Sequence, residues 1–179
     1  MIRALLIAGL VAASGPAFAL SCIPPDPARD FDRAASDENQ WVVVHGKLTF
    51  DKRLLPNRDG PSNDAAPTTD IPAYFKGYSL TRDGFTNRFE TPITLTARCF
   101  GPWCGGAVTD TDYLAFMQKD GDSYTMTVDP CGSNSYPKPS QEVLDRMQAC
   151  MNGDCPVADG PILQRKKGSR SACRMRRDA

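Results

Sequence analysis

A chain of 179 residues has room for one ordinary domain. Its 21 basic and 21 acidic residues cancel, and a 41% hydrophobic content excludes both a membrane bundle and a disordered chain; 15 Pro and 14 Gly argue against long helices and coiled coil. Seven Cys beside a single His leave little room for His-rich metal sites and make His-dependent catalysis rest on one residue, His45.

Residues 1–19 read as a signal peptide. Arg3 gives a positive start, Ala4 to Ala13 is an apolar run too short to span a bilayer, and Ala17-Phe18-Ala19 offers the small residues of a cleavage site. The expected product begins at Leu20 and is exported, periplasmic or extracellular, where disulfides persist. A lipoprotein anchored at Cys22 is the minority alternative, because Ala19 and Leu20 stand in the reverse of the usual lipobox order. No membrane-spanning segment is expected.

Asp26 before Pro27 predicts an N-cap and the first helical position of a short helix through Phe31 and Ala34. Trp41 to Phe50 is the clearest strand, and Gly46 inside it predicts a bulge or bend. Residues 51–70, with three Pro, read as a long loop, disordered or functional. Strands follow over 74–81 and 85–89, joined by an Asp83-Gly84 turn, and over 93–99 after Pro92. A second pair covers 112–118 and 124–128 across Lys119-Asp120-Gly121-Asp122. Ser140 caps a helix whose Val143, Leu144, Met147 and Met151 share one face. The expected fold is mainly β, a small closed barrel with a helix at each end.

Residues 20–156 form the expected domain and 157–179 a basic, disordered tail. From Arg165 onward the tail carries +6, leaving −7 over 20–164. It is either a solvated terminus or a strip for an anionic lipid or polysaccharide surface. An acidic body and a tail without aromatic residues speak against nucleic acid.

Cys99 and Cys104 enclose four residues including Gly101, and Cys150 and Cys155 enclose four including Gly153, which suits two local disulfides. A zinc site would need reduced thiolates. Trp103-Cys104-Gly105 offers only a faint thioredoxin likeness, so a thiol–disulfide role for Cys99 and Cys104 is a distant alternative. No nucleophile, phosphate-loop, metal or paired-carboxylate signature occurs, and neither enzymatic turnover nor a cofactor is expected.

Ser21-Cys22-Ile23-Pro24, Phe31 and Val42-Val43-Val44-His45-Gly46-Lys47 resemble the opening of the tissue inhibitors of metalloproteinases and the wider netrin-like modules. Phe75-Lys76-Gly77, Cys104-Gly105, Tyr113-Leu114 and a strand ending at Cys131 fall in the same order. The resemblance covers about 22–150. It implies an OB-type five-stranded closed barrel and a Cys22–Cys131 disulfide; with the two local pairs, the odd Cys173 is then expected to be unpaired or to bridge to a second molecule. Cys22 bonded elsewhere, or lipidated, is the alternative. Family inhibitors chelate the protease zinc through the amino group and carbonyl of an N-terminal Cys. Leu20 occupies the matching place, so an inhibitory N-terminus would be Leu20, Ser21 and Cys22 without the bond that fixes that first residue. The functions expected are a non-enzymatic binding module, using the barrel face or the 51–70 loop on a protein or glycan, and, as the alternative, a proteinase inhibitor.

Overall fold

The computed structural model describes residues 20–56 and 66–155. The expected signal peptide, the middle of the 51–70 loop, the basic tail and Cys173 lie outside the described residues.

Helix α1 (Pro27–Ser36) starts where the sequence predicts it: the Asp26 carboxylate accepts from the Ala28 N–H at 3.0 Å, and Pro27 takes the first turn, where an N–H is not needed. Helix α2 (Gln141–Met151) is capped by Ser140. Between them run seven strands: β1 (Gln40–Phe50), β2 (Thr68–Thr81), β3 (Gly84–Phe100), β4 (Trp103–Cys104), β5 (Thr111–Asp120), β6 (Ser123–Val128) and β7 (Ser135–Pro137).

Five of them close into a ring. β1 pairs with β2, β2 with β3, β3 with β6, β6 with β5, and β5 returns to β1. Every pairing is antiparallel except β3 with β6. Closure comes from β1 alone: its first half and middle pair with β5 from Gln40 to Leu48, while its second half pairs with β2 from Val44 to Phe50.

Alternation along each strand sorts side chains between two cores. Val44, Leu48, Phe75, Leu95, Met117, Met126 and Val128 fill the inside of the ring. Val43, Leu80, Leu114 and Phe116 point outward, yet they are also buried, because Ala28 of α1 and Met147 and Cys150 of α2 lie over them. That double cover explains five consecutive buried residues from Tyr113 to Met117 in β5. The expected face of α2 takes part, with Val143, Leu144 and Met151 packed around Met147.

Three boundaries depart from the sequence reading. Residues 51–70 are not loop throughout: Lys52–Leu54 form a 3-10 turn and β2 begins at Thr68, six residues before the expected Tyr74. Pro92 does not end a strand either. β3 runs through it, at a stretch where only β2 is paired, since β6 joins β3 only at 94–97. A residue lacking an N–H is tolerated where one edge has no neighbour. Finally, the pairing of β1 with β2 continues without a register shift at Gly46, so the expected bulge is absent.

The structure closes three disulfides, Cys22–Cys131, Cys99–Cys104 and Cys150–Cys155. With its sulfur in that first bond, Cys22 has no thiol for a lipid. Among the described residues no helix is long and apolar enough to cross a membrane.

Candidate functional site

The two helices cover the outer side of β5, the first half of β1 and the Leu80–Phe85 end of the β2–β3 hairpin. On the outer side of β2 and β3 the period-2 pattern instead places Asp70, Pro72, Tyr74, Lys76 and Tyr78 in one row, all exposed. The register sets Thr96, Thr94, Pro92, Glu90 and Arg88 beside them. Tyr74 and Tyr78 are 43% and 51% exposed, and Phe100 at the far end of β3 is 36% exposed.

Charge on the face is arranged around Glu90. Arg88 donates to its carboxylate, and the Lys76 ammonium lies 3.6 Å away. The Arg88 hydrogen bond, helped by Lys76, holds the Glu90 carboxyl below its ordinary value. Lys47 of β1 stands directly opposite Lys76 and has no ion pair among the described residues. The face therefore sets Lys76 and Arg88 around Glu90, and Lys47 between Lys76 and Asp112 of β5, beside two tyrosine rings. Asp70 accepts from the Thr96 hydroxyl at 2.6 Å farther along the same row. At Pro92 the face runs into a hollow of about 360 Å³ at the β5–β6 turn, lined by Thr91, Pro92, Thr94, Asp122, Ser123 and Tyr124.

The N-terminal arm is built differently. Ser21 to Pro25 are exposed, with Ile23 74% accessible, and the Cys22–Cys131 bond ties them to the end of the ring. Two buried carboxylates anchor the helix that follows. Asp26 accepts from Arg146 of α2 at 3.0 Å, and Asp30 accepts from the Asn134 N–H and the Tyr136 hydroxyl, each at 2.6 Å, and from Arg33 at 3.0 Å. Burial first, then the hydrogen bond to Asp30, raises the Tyr136 phenol far above its ordinary value. These contacts fix where the arm leaves the ring.

The cysteines form the two expected local disulfides. Cys99 and Cys104 are a cross-strand pair at the start of the β3–β4 hairpin, and both are buried. Among the described residues no group of His, Cys, Asp and Glu is placed to hold a metal ion. His45 lies at the border between the covered and uncovered faces, its ring edge-on to Phe85 at 5.6 Å. Burial lowers its pKa, with Asp112 opposing in part. A groove of about 460 Å³ runs between α1 and the end of α2, lined by Phe31, Ala35, Arg82, Met151, Asn152 and the Cys150–Cys155 bond.

Of the residues singled out in the sequence, Leu20, Ser21 and Cys22 share the arm, while Cys99, Cys104, Cys150 and Cys155 sit in two separate staples. Sequence reasoning passed over Lys47, Tyr74, Lys76, Tyr78 and Arg88 as a site. The signal was there in Asp70-x-Pro-x-Tyr-x-Lys-x-Tyr78, a run in which four of the five alternate residues are charged or aromatic. Compared with known proteins, the chain matches no family model, no curated protein and no solved structure.

Proposed function

We propose that this is an exported, non-enzymatic binding module whose contact surface is the uncovered outer face of β2 and β3. The observation that carries the reading is the asymmetry of the ring: helices seal one outer side, while the opposite side sets Tyr74 and Tyr78 in solvent beside Lys47, Lys76 and Arg88. Aromatic and Arg side chains are the groups most often used as anchors in recognition surfaces. Export is supported by the leader-like residues 1–19 and by three disulfides, which persist in oxidising compartments.

The finer fold reading is an OB-type barrel. Its support is the ring order, in which the third and fifth ring strands are parallel neighbours and the first strand closes against the fourth. The resemblance to netrin-like modules draws support from the Cys22–Cys131 bond it implies.

The test is retention. Wild-type chain and a Tyr74→Ala/Tyr78→Ala variant, each immobilised, are exposed to the same envelope extract of the cells that make the protein, and bound protein and glycan are measured. The expected result is a component held by the wild type and lost by the variant, with both forms melting at the same temperature. Equal retention would remove the face from the reading.

A second reading has its own observation. The arm of half-exposed Leu20 and exposed Ser21 and Cys22 is tied down at Cys22 by Cys22–Cys131, two residues from the expected N-terminus, although Leu20 itself has no such bond. Inhibition of a metalloproteinase by the chain starting at Leu20, abolished by one added N-terminal residue, would favour it.

A further inference from the structure

We infer that a second copy of this chain pairs with the open edge of β3. Its own β3 lies antiparallel about a two-fold axis at Phe89, so that Arg88 of each copy faces Glu90 of the other. The contact is the edge of the sheet rather than its outer face, and it stands or falls independently of the contact surface proposed above.

An unused hydrogen-bonding ladder marks the edge. Before Thr94, where β6 joins, β3 is paired on one side only, with β2. The prolines show which groups are free. Pro72 stands opposite Thr94 and Pro92 opposite Tyr74, and neither has an N–H to donate, so the pairs holding even-numbered residues are the ones that exchange no bonds between β2 and β3. The odd-numbered class carries the bonds, and the Cys99 N–H continues it by donating to the Pro67 carbonyl at 2.9 Å. Arg88 and Glu90 therefore turn their N–H and C=O groups away from β2, where none has a partner among the described residues. Thr86, Asn87 and Arg88 are exposed, which leaves the edge open to a strand.

The ladder is bracketed symmetrically. Thr86 is the residue left over at the register shift between the two strands, and Pro92 lacks an N–H. Each stands three residues from Phe89. With the axis there, the two interruptions fall opposite one another, and each Arg88 exchanges two backbone bonds with Glu90 of the other copy. The hollow of about 360 Å³ between Thr91–Thr94 and the β5–β6 turn leaves room for Thr86 of the second copy beside Pro92.

Charge selects both the occupant and the register. Charged side chains on an edge turn away most strands. This edge calls for an antiparallel strand with an acid opposite Arg88 and a base opposite Glu90, and β3 read backwards supplies Glu90, Phe89 and Arg88 in that order. An axis at Arg88 or at Glu90 would instead set like charges face to face. The Arg88 side chain is 76% exposed, so its pairing with Glu90 of its own strand adds little and leaves it able to lie between the two carboxylates.

The experiment is sedimentation equilibrium of the exported chain, carrying Cys173→Ser throughout so that no disulfide joins two tails. A reversible dimer is expected, with a dissociation constant of roughly 10–100 μM for so small an interface. Glu90→Pro removes an edge N–H without touching the β2 ladder and is expected to weaken the dimer at least about tenfold, with an unchanged circular dichroism spectrum. Arg88→Glu and Glu90→Arg, each alone, set like charges opposite one another and are expected to weaken it about tenfold. An equimolar mixture of those two variants is expected to dimerise as tightly as the wild type, because every Arg then faces a Glu. A wild-type chain that stays monomeric to about 1 mM would overturn the inference. So would a mixture no tighter than its components, which decides the matter even if Glu90→Pro fails to fold. A dimer lost in Tyr74→Ala/Tyr78→Ala but kept in the edge variants would move the contact to the outer face and overturn the edge. A monomer whose face still retains a component of the extract would sink this inference and leave the proposed contact surface standing.

Discussion

Gly46 and Gly77 face each other across the β1–β2 pair with no room for a side chain on either. A Cβ on Gly46 would lie 2.4 Å from the Lys76 carbonyl oxygen, and one on Gly77 would lie 2.1 Å from that of His45. The atoms met are backbone, which cannot swing aside. This close approach falls at the middle of the stretch of β1, Val44 to Leu48, that pairs with β2 and β5 at once and so closes the ring.

Gly77→Ala is therefore expected to destabilise the protein by about 2–3 kcal/mol, the range of an overpacked core site. Urea unfolding of the two forms checks it. A loss smaller than about 0.5 kcal/mol, the scatter of ordinary surface substitutions, would contradict the close-approach account.

Much of this fold was legible in the sequence, and the failures have physical causes. Asp26-Pro27 and Ser140 specify helix starts through local hydrogen bonding, so they read correctly without tertiary information. Pro92 misled because its effect depends on whether a neighbouring strand needs its N–H, which is a property of the sheet. Gly46 signalled a backbone peculiarity, but its cause is Gly77, thirty-one residues on. The Tyr74, Lys76 and Tyr78 row looked like any half-buried strand, because nothing local reveals which side of the ring the helices cover.

The three disulfides are expected to differ in weight. Cys22–Cys131 spans 109 residues and each of the others spans 5. In the chain-entropy account the long loop contributes about 4–5 kcal/mol and a short one about 2 kcal/mol. Serine pairs made at each bond in turn, compared by urea midpoint, should rank Cys22/Cys131 as the most costly. A Cys99/Cys104 pair costing as much would contradict that ranking.

Asp30 joins α1 to β7 through Tyr136. Tyr136→Phe is expected to cost about 1 kcal/mol, and Asp30→Ala about 2–3 kcal/mol, because it strands the Asn134 N–H as well as the hydroxyl. The raised Tyr136 pKa means that the folded state resists losing this proton. Its contribution is complete below the ordinary phenol value of about 10 and is lost as pH climbs above it. Urea midpoints taken across that range should fall faster for the wild type than for Tyr136→Phe. Parallel slopes would count against the hydrogen bond.

His45 is the chain's one histidine, so its imidazole resonance can be followed without ambiguity. Burial lowers its pKa, so the unfolded chain takes up the proton first as pH falls. The stability this group contributes is present above the ordinary value of about 6.5 and is lost as pH drops below it. Proton magnetic resonance should give a midpoint below that value in the native state and near it in urea. A native midpoint at or above the unfolded one would mean that Asp112, rather than burial, controls the site.

The central claim is that this protein works by binding through the outer face of β2 and β3, and site-directed photocrosslinking tests it most directly. A benzophenone side chain is placed in separate preparations at Tyr78 on the face, at Asp32 on the groove between the helices, and at Ser21 on the N-terminal arm. Each preparation is irradiated in the native envelope fraction. The account predicts adducts from position 78 that vanish when Tyr74→Ala is added, and none from 32 or 21. Adducts confined to Ser21 or Asp32, or none from Tyr78, would contradict it.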